Sequence, residues 1–280
     1  LGYVEVWAVR WDSGGAAFER ALAHAREAGD AREEASLVRW IARSLLFGST
    51  PAPVGIERCA GMLAGVRGRR DAEAGVLEAL ASLEAMCGRF DEARELHVRS
   101  SRTYAELGQK ARLARLTAVG TRIELLAGDR AAAERELRAA YELYETRGER
   151  ASVGAVAAAL ARLSSEAARE DEAESFARVA EESAARGDVT TQVRRRAALA
   201  RVLARRGELG EAEALAREAV ALTEGTQFPD WRADTLLDAA EVLRAAGRPE
   251  EANAAAREAL RLYEAKGNLV SAEGVRALLG

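Results

Sequence analysis

The stretch 194–225, RRRAALARVLARRGELGEAEALAREAVALTEG, decides the fold of this chain. Its first half carries Leu199 and Leu203 at the four-residue step of a helix face, and Gly207 then stops the helix. After a short turn, a second apolar helical pattern occupies residues 211–223. The stretch therefore predicts two antiparallel helices joined by a glycine turn, which is a helical hairpin.

The same hairpin plan repeats along the chain with a period of about forty residues. Turn glycines recur at intervals of 40, 40, 79 and 40 residues, at Gly48, Gly88, Gly128, Gly207 and Gly247. Ala168 occupies the slot that the long interval leaves empty. A second series of helix-stop glycines interleaves with the first: Gly29, Gly68, Gly108, Gly148, Gly187, Gly225 and Gly267. Two helix stops per period predict an all-α solenoid of stacked antiparallel helical hairpins.

The spacing of these stops also predicts the organisation of the chain. We expect one superhelical repeat domain over residues 1–280, ending in a capping helix at 268–280. The predicted hairpins cover residues 1–29, 31–68, 71–108, 111–148, 151–187, 190–225 and 229–267. Because the chain lacks an initiator methionine and opens inside a predicted helix, we expect it to be a fragment of a longer protein.

Small residues recur on the second helix of each hairpin. One set follows the turn: Ala93, Ala133, Ala173, Ala212 and Ala252. A second set lies seven residues further on: Ala60, Ser100, Ala140, Ala180, Ala219 and Ala259, with Ala21 in register at the front. Residues seven apart share a helix face, so we predict a seam where the two helices of a hairpin approach closely. Tyr104, Tyr144 and Tyr263 are predicted to pack between hairpins, and Asp91 and Asp171 to be N-caps.

This arrangement resembles the tetratricopeptide repeat, in which a small residue and a glycine precede the turn and alanines follow on the second helix. The resemblance covers nearly the whole chain and implies a right-handed superhelix of TPR-like hairpins. The period of this chain is longer than the usual 34 residues. Each helix must therefore gain most of a turn, as in the long-helix variants of bacterial regulators.

Four segments carry a closer resemblance. They are EAMCGRFDEARELH (84–97), LLAGDRAAAERELRAAYELYE (125–145), VLARRGELGEAEALAREAVALTEGT (202–226) and RADTLLDAAEVLRAAGRPEEANAAAREALRLYEAKGN (232–268). They are similar to the C-terminal repeats of actinobacterial-type proteins that combine a class III adenylate or guanylate cyclase with an AAA/STAND-type ATPase. Similar repeats follow ATPase modules in regulators of the LuxR and MalT kind. The resemblance implies a regulatory arm of a signalling protein.

The composition offers no chemistry beyond this. The net charge of −4 gives no overall attraction to nucleic acid, and no phosphate-binding loop surrounds Lys110 or Lys266. The two histidines, His24 and His97, fall in distant repeats, so we predict no metal site, no cofactor and no catalytic activity. The two cysteines form no CxxC pair, and no stretch is apolar enough to cross a membrane, so we expect a cytoplasmic protein.

A candidate binding site follows from the repeat register. In repeats of this kind the first helix of each hairpin lines the concave groove. The three- and four-residue steps of these helices place six arginines there: Arg115, Arg122, Arg162, Arg194, Arg201 and Arg205. Arginine forks suit carboxylates and phosphates. The alternative is that these arginines simply pair with neighbouring glutamates, as on any arginine-rich helix.

The function that we predict is a non-catalytic scaffold for protein–protein interaction. Its partner would be a protein or peptide with acidic, carboxylate or phosphate groups, or the upstream ATPase or cyclase modules of the same protein. The alternative is a small-molecule sensor that controls an attached ATPase or transcriptional regulator; it would need a closed, partly apolar cavity. Nucleic-acid binding is the weakest alternative, because the chain is acidic.

Overall fold

The computed structural model describes residues 1–183 and 189–280, and these residues form fifteen α-helices and no strand. The predicted all-α architecture of antiparallel helical hairpins is confirmed. The helices are α1 (Gly2–Trp7), α2 (Trp11–Glu27), α3 (Ala31–Phe47), α4 (Ala52–Gly65), α5 (Arg70–Met86), α6 (Phe90–Glu106), α7 (Lys110–Leu126), α8 (Arg130–Arg147), α9 (Arg150–Glu166), α10 (Glu170–Ser183), α11 (Val189–Arg205), α12 (Leu209–Thr223), α13 (Pro229–Ala245), α14 (Pro249–Lys266) and α15 (Leu269–Leu279).

The turns within hairpins end their first helices with a residue in the left-handed backbone region. At the α5–α6 turn, Gly88 has a φ of 80°, and the Arg89 amide donates to the Glu84 carbonyl over 3.0 Å. This six-to-one hydrogen bond is the Schellman arrangement that ends many helices. Ala168 takes the same conformation, with a φ of 56°, so it does fill the missing glycine slot. Gly187, which we predicted as a helix stop, lies outside the described residues.

Gly48 is the exception in the turn series, because its backbone is extended, with a φ of −77°. A side chain at this position would collide with the Asp12 carboxylate and the Ser44 carbonyl. Glycine is therefore needed here for a close approach between α2 and the end of α3 rather than for a left-handed turn.

The small-residue seam is buried as predicted, with one error of register. Helix α4, which has fourteen residues, buries a different face from the other second helices. Its buried residues are Ala52, Gly55 and Cys59, whereas Ala60 is exposed. The rest of the second set is buried except Ala21, which is half-buried. The three predicted packing tyrosines, Tyr104, Tyr144 and Tyr263, are all buried. Close contact of the paired helices therefore depends on side chains no larger than alanine, serine or cysteine along most of the seam.

The predicted N-caps were wrong, by two residues at α6. Asp91 and Asp171 are the second residues of α6 and α10, and the N-cap of α6 is Arg89, which makes no side-chain capping bond. The Schellman turn reverses the chain in so few residues that the next helix begins before the aspartate. A side-chain cap is present at α3, where Asp30 accepts from the amides of Arg32 and Glu33.

The chain divides into two compact units. Unit 1 comprises residues 1–129, 226–230 and 262–274, and unit 2 comprises residues 130–225, 231–261 and 275–280. In unit 1 the first helices α3, α5 and α7 pack side by side, and α5 pairs with α6. In unit 2, α9 pairs with α10, α11 pairs with α12, and α9 packs against α11. First helices therefore lie next to first helices in each unit. The assignment of residues 1–280 to one domain, and of 268–280 to a cap, stays a prediction.

Candidate functional site

The six predicted groove arginines lie on first helices, but in two separate sets. Arg115 and Arg122 are on α7 in unit 1, whereas Arg162 is on α9 in unit 2. The remaining members are on α11 in unit 2: Arg194, Arg201 and Arg205. The role of both sets in binding stays a prediction.

In unit 2 the arginines are surrounded by carboxylates. Arg201 is only 5% exposed, and its Nη1 lies 2.9 Å from Asp238 Oδ1 and 2.5 Å from a Glu241 carboxylate oxygen. The Nε of Arg162 donates to Glu166 over 3.1 Å. The nearby Asp238 carboxylate raises the pKa of Arg162 above its ordinary value, although burial opposes this. Arg162 and Arg201 therefore belong to a network of ion pairs in which nearby carboxylates balance their charges.

The two other predicted arginines of α11, Arg194 and Arg205, are exposed. Arg205 lies 3.7 Å from the same Glu241 that pairs with Arg201, and Arg194 lies about two turns before Arg201 on the helix. Since Glu241 serves two arginines while Asp238 faces Arg162 and Arg201, the positive and negative groups nearly balance. A partner of unit 2 would therefore meet neighbouring positive and negative charges, and not a continuous row of positive charges.

In unit 1 one further arginine, on α3, occupies the same helix position as the predicted Arg122. The thirteenth residue of α3, α7, α9 and α11 is an arginine in each case: Arg43, Arg122, Arg162 and Arg201. Arg43 was not among the predicted arginines, because the repeat register was not extended to the first repeats. The same helix spacing identifies this residue. Its guanidinium carbon lies 5.9, 5.5 and 5.3 Å from the ring centres of Trp11, Trp40 and Phe47. It also pairs with Glu78 over 3.2 Å. The guanidinium of Arg43 is therefore occupied by contacts within the protein.

Two further arginines of unit 1 share one carboxylate. Arg39 of α3 pairs with Asp71 at the start of α5, and Arg112 of α7 lies 3.3 Å from the same carboxylate. Burial and the neighbouring Arg112 both lower the pKa of Arg39. Two positive groups around one negative group leave an excess positive charge at this point.

These residues line an open cleft of about 830 Å³, which we call the arginine cleft. Its wall is completed by the first turn of α3, including Arg32 and Glu33, and by Arg69, so the lining holds four arginines and three carboxylates. Arg69 pairs with Glu34 over 2.5 Å, and the Asp30 carboxylate is used by the backbone amides of α3. Arg32 makes no ion pair within residues 1–183 and 189–280. The volume lies within the 300–1,000 Å³ of ordinary ligand sites, and the lining is mostly polar.

Two of the predicted arginines follow Arg112 on α7, beyond the lining of the arginine cleft. Arg115 is exposed and lies one turn beyond Arg112 on the same helix face. Arg122 follows two turns later, where its Nη2 donates to Asp230 over 2.6 Å. Of the six predicted residues, these two therefore lie on the helix that also contributes Arg112 to the arginine cleft.

Other reactive groups are separated or buried. His24 is exposed beside Glu27, whereas burial lowers the pKa of His97. Both cysteines are free thiols, and burial raises the pKa of Cys59 to about 12. Among the described residues no group of three or more His, Cys, Asp or Glu side chains could hold a metal ion. No helix of those residues has the length and apolar character that crossing a membrane requires.

Comparison with known proteins supports the repeat assignment. The sequence profile described as tetratricopeptide repeat matches residues 193–265. The crystal structure of BtubC (BKLC) from P. vanneervenii is similar, with a TM-score of 0.50 and 18% identity, over 76% of this chain and 89% of that one. The crystal structure of NprR in complex with its cognate peptide NprX has a TM-score of 0.56 and 13% identity, over 81% of this chain and 70% of that one.

At these low identities the two structures show the fold alone. Together with the profile match, they show that the chain contains a tetratricopeptide-type repeat region. No curated protein matches the sequence.

Proposed function

We propose that this chain is a non-catalytic interaction module that binds an acidic peptide segment of a protein partner in the arginine cleft of unit 1. The observation that carries the proposal is the pair Arg39 and Arg112, which share the single carboxylate of Asp71 in an open cleft. A carboxylate from a partner would complete the pairing of the second guanidinium, and arginine–carboxylate pairs are among the strongest hydrogen-bonded contacts.

The form of the cleft supports a peptide over a small molecule. A small-molecule sensor would need a closed and partly apolar cavity, whereas the arginine cleft is open and charged. In unit 2, a partly apolar pocket lined by residues such as Val220, Leu236 and Leu243 holds only about 200 Å³, which is below the usual size of a ligand site. NprR, whose structure is similar, was crystallised with a peptide.

The biological setting is a finer part of the proposal. We infer from the resemblance of four segments that the module belongs to a signalling protein with a cyclase or ATPase domain, or to a regulator of the LuxR and MalT kind. Its partner would then be another protein or an upstream module of the same chain. The charge-balanced surface of unit 2, with Arg162, Arg201 and Arg205, would contact a partner segment of mixed charge.

The binding test uses a fluorescein-labelled hexaglutamate peptide and fluorescence anisotropy. The double variant Arg39→Gln/Arg112→Gln should bind at least about tenfold more weakly, since each charge-assisted hydrogen bond contributes about 1.5–3 kcal/mol. Arg178→Gln is the matched control, because among the described residues Arg178 pairs only along its own helix, with Glu174. Hexaglutamine should bind weakly to all variants.

The proposal fails if hexaglutamine binds the unaltered protein as well as hexaglutamate does. It also fails if the double variant and the Arg178→Gln control have the same affinity. Circular dichroism of each variant checks that the helices are retained.

A further inference from the structure

Two segments from the end of the chain belong to unit 1, and together we call them the C-terminal clasp (residues 226–230 and 262–274). Its first segment lies against the start of the chain. The Gln227 amide donates to the Val9 carbonyl over 2.9 Å, and the Ser13 amide donates to the Gln227 side chain over 3.0 Å. The Phe228 ring packs 5.0 Å from the Phe47 ring. These contacts join parts of the chain that successive stacking of hairpins would not bring together.

The second segment is held by one buried lysine. Lys266 is 1% exposed, and its Nζ donates to three backbone carbonyls, those of Leu45 over 2.8 Å, Gly48 over 2.8 Å and Thr50 over 2.7 Å. These carbonyls lie at and just beyond the end of α3, where a helix leaves its acceptors unused. An ammonium group has three hydrogen-bond donors, and this site supplies three carbonyl acceptors.

The clasp also brings a buried carboxylate to Arg122. Asp230 is 1% exposed, and its Oδ2 accepts from Arg122 Nη2 over 2.6 Å and from Asn268 Nδ2 over 3.2 Å. Asn268 in turn accepts from the Ser271 amide at the start of α15. Asp230 is therefore presented to Arg122 by a fixed hydrogen-bonded frame from the far end of the chain.

Arg122 lies on the same helix as Arg112 of the arginine cleft. Ten residues of helix separate Arg112 from Arg122, which corresponds to about 15 Å along α7, with Arg115 on the same face between them. An extended peptide of six residues spans about 20 Å. A peptide that lies in the arginine cleft and follows α7 would therefore reach Arg122.

We propose that the C-terminal clasp is an autoinhibitory element, in which Asp230 is an internal ligand of Arg122 that an acidic partner segment must displace. This inference rests on the proposed function, because it concerns the same surface and the same class of ligand. The clasp occupies the far end of the peptide path and leaves the arginine cleft itself open. Lys266 sets the stability of the occupied state by holding residues 262–274 on the end of α3.

The variant test removes the internal carboxylate without changing its size. Asp230→Asn should bind labelled hexaglutamate about five- to tenfold more tightly than the unaltered protein, because Arg122 becomes available to the peptide. The double variant Asp230→Asn/Arg122→Gln should lose this gain. Lys266→Met should also bind more tightly, whereas Lys110→Met, the same change at an exposed lysine, should not. Equal or weaker binding by Asp230→Asn would overturn the proposal.

A second measurement needs no variant. Hydrogen–deuterium exchange of the unaltered protein is followed with and without saturating hexaglutamate. Displacement of the clasp should increase exchange in residues 226–230 and 262–274, with residues 130–183 as an internal reference. Unchanged or slower exchange in the clasp would overturn autoinhibition, even if the peptide binds. Loss of binding in Arg39→Gln/Arg112→Gln depends on the arginine cleft alone, so failure of the proposed function and failure of the clasp give different results.

Discussion

Ala168 sits in a backbone conformation that alanine rarely adopts. Its φ of 56° is close to that of turn glycines in other hairpins, such as Gly88 and Gly128. The Arg169 amide still donates to the Ser164 carbonyl over 2.9 Å, so the turn is complete despite the side chain. The left-handed conformation costs an L-residue about 1–2 kcal/mol because Cβ crowds the following carbonyl. The turn therefore keeps the backbone geometry of the repeat, although the conformation of Ala168 is strained.

Replacing Ala168 with glycine should therefore stabilise the protein. We expect Ala168→Gly to raise the free energy of unfolding by about 0.5–1 kcal/mol, since relief of strain exceeds the extra entropy of the unfolded chain. The reverse change at the equivalent position, Gly128→Ala, should lower it by about 1 kcal/mol. Urea denaturation followed by circular dichroism measures both. A destabilising Ala168→Gly would show that the turn is not strained.

At the scale of the helices, packing inside each hairpin depends on small side chains facing the partner helix. Ala93 of α6 is completely buried. Further along the same helix, Ser100 is also buried, and its hydroxyl donates to the Ala74 carbonyl of α5 over 2.8 Å. A side chain that reaches the backbone of the neighbouring helix shows how closely the two helices approach. Larger side chains cannot enter such an interface without separating the pair.

The register of the seam can be tested with one substitution at two sites. Ala93→Leu should lower the free energy of unfolding by about 1–3 kcal/mol, because the added atoms have no space between α5 and α6. Ala60→Leu is the matched control in α4, and since Ala60 is exposed it should change stability by less than about 0.5 kcal/mol. Similar losses at both positions would contradict the seam as the structure places it.

At the scale of the whole molecule, the C-terminal clasp adds contacts that a simple stack lacks. Each hairpin of a solenoid contacts its neighbours, so stability accumulates along the chain. Lys266 instead bonds to Leu45, which is 221 residues away in sequence. Unit 1 therefore cannot reach its full stability until residues 262–274 have been made and docked.

The charge of Lys266 makes the stability of the protein depend on pH. Burial lowers its pKa from 10.5 to about 8, although Asp230 and Asp12 act in the opposite direction, while Arg122 lowers it further and Cys59 raises it. Between these two values the unfolded chain binds more protons at Lys266 than the folded protein does. The contribution of this group to the free energy of unfolding therefore increases as the pH rises through that range.

We expect this contribution to be up to about 3 kcal/mol between pH 8 and 10.5. The measurement is the difference in free energy of unfolding between the unaltered protein and Lys266→Met, because groups present in both proteins cancel. The difference should grow in favour of the unaltered protein as the pH is raised. A difference that stays constant with pH would show that Lys266 has an ordinary pKa in the folded state.

The surface that we propose to meet a partner could be predicted only in part. The repeat register placed Arg115 and Arg122 on the inner face of α7, and it could also have found Arg43. It could not show that Arg43 is enclosed by aromatic rings, or that Arg39 and Arg112 share Asp71. Those facts depend on which side chains from neighbouring hairpins meet, and a pattern of arginines contains no information about their partners.

By itself, the sequence determined the helices, their turns and the small-residue seam. Each of these depends on residues within about one repeat, through helical periodicity, left-handed stops and side-chain size. The tertiary structure alone decided that Asp230 meets Arg122, 108 residues away, and that Lys266 binds the end of α3. Such contacts depend on small rotations between successive hairpins, which add up along the chain and leave no periodic trace in the sequence.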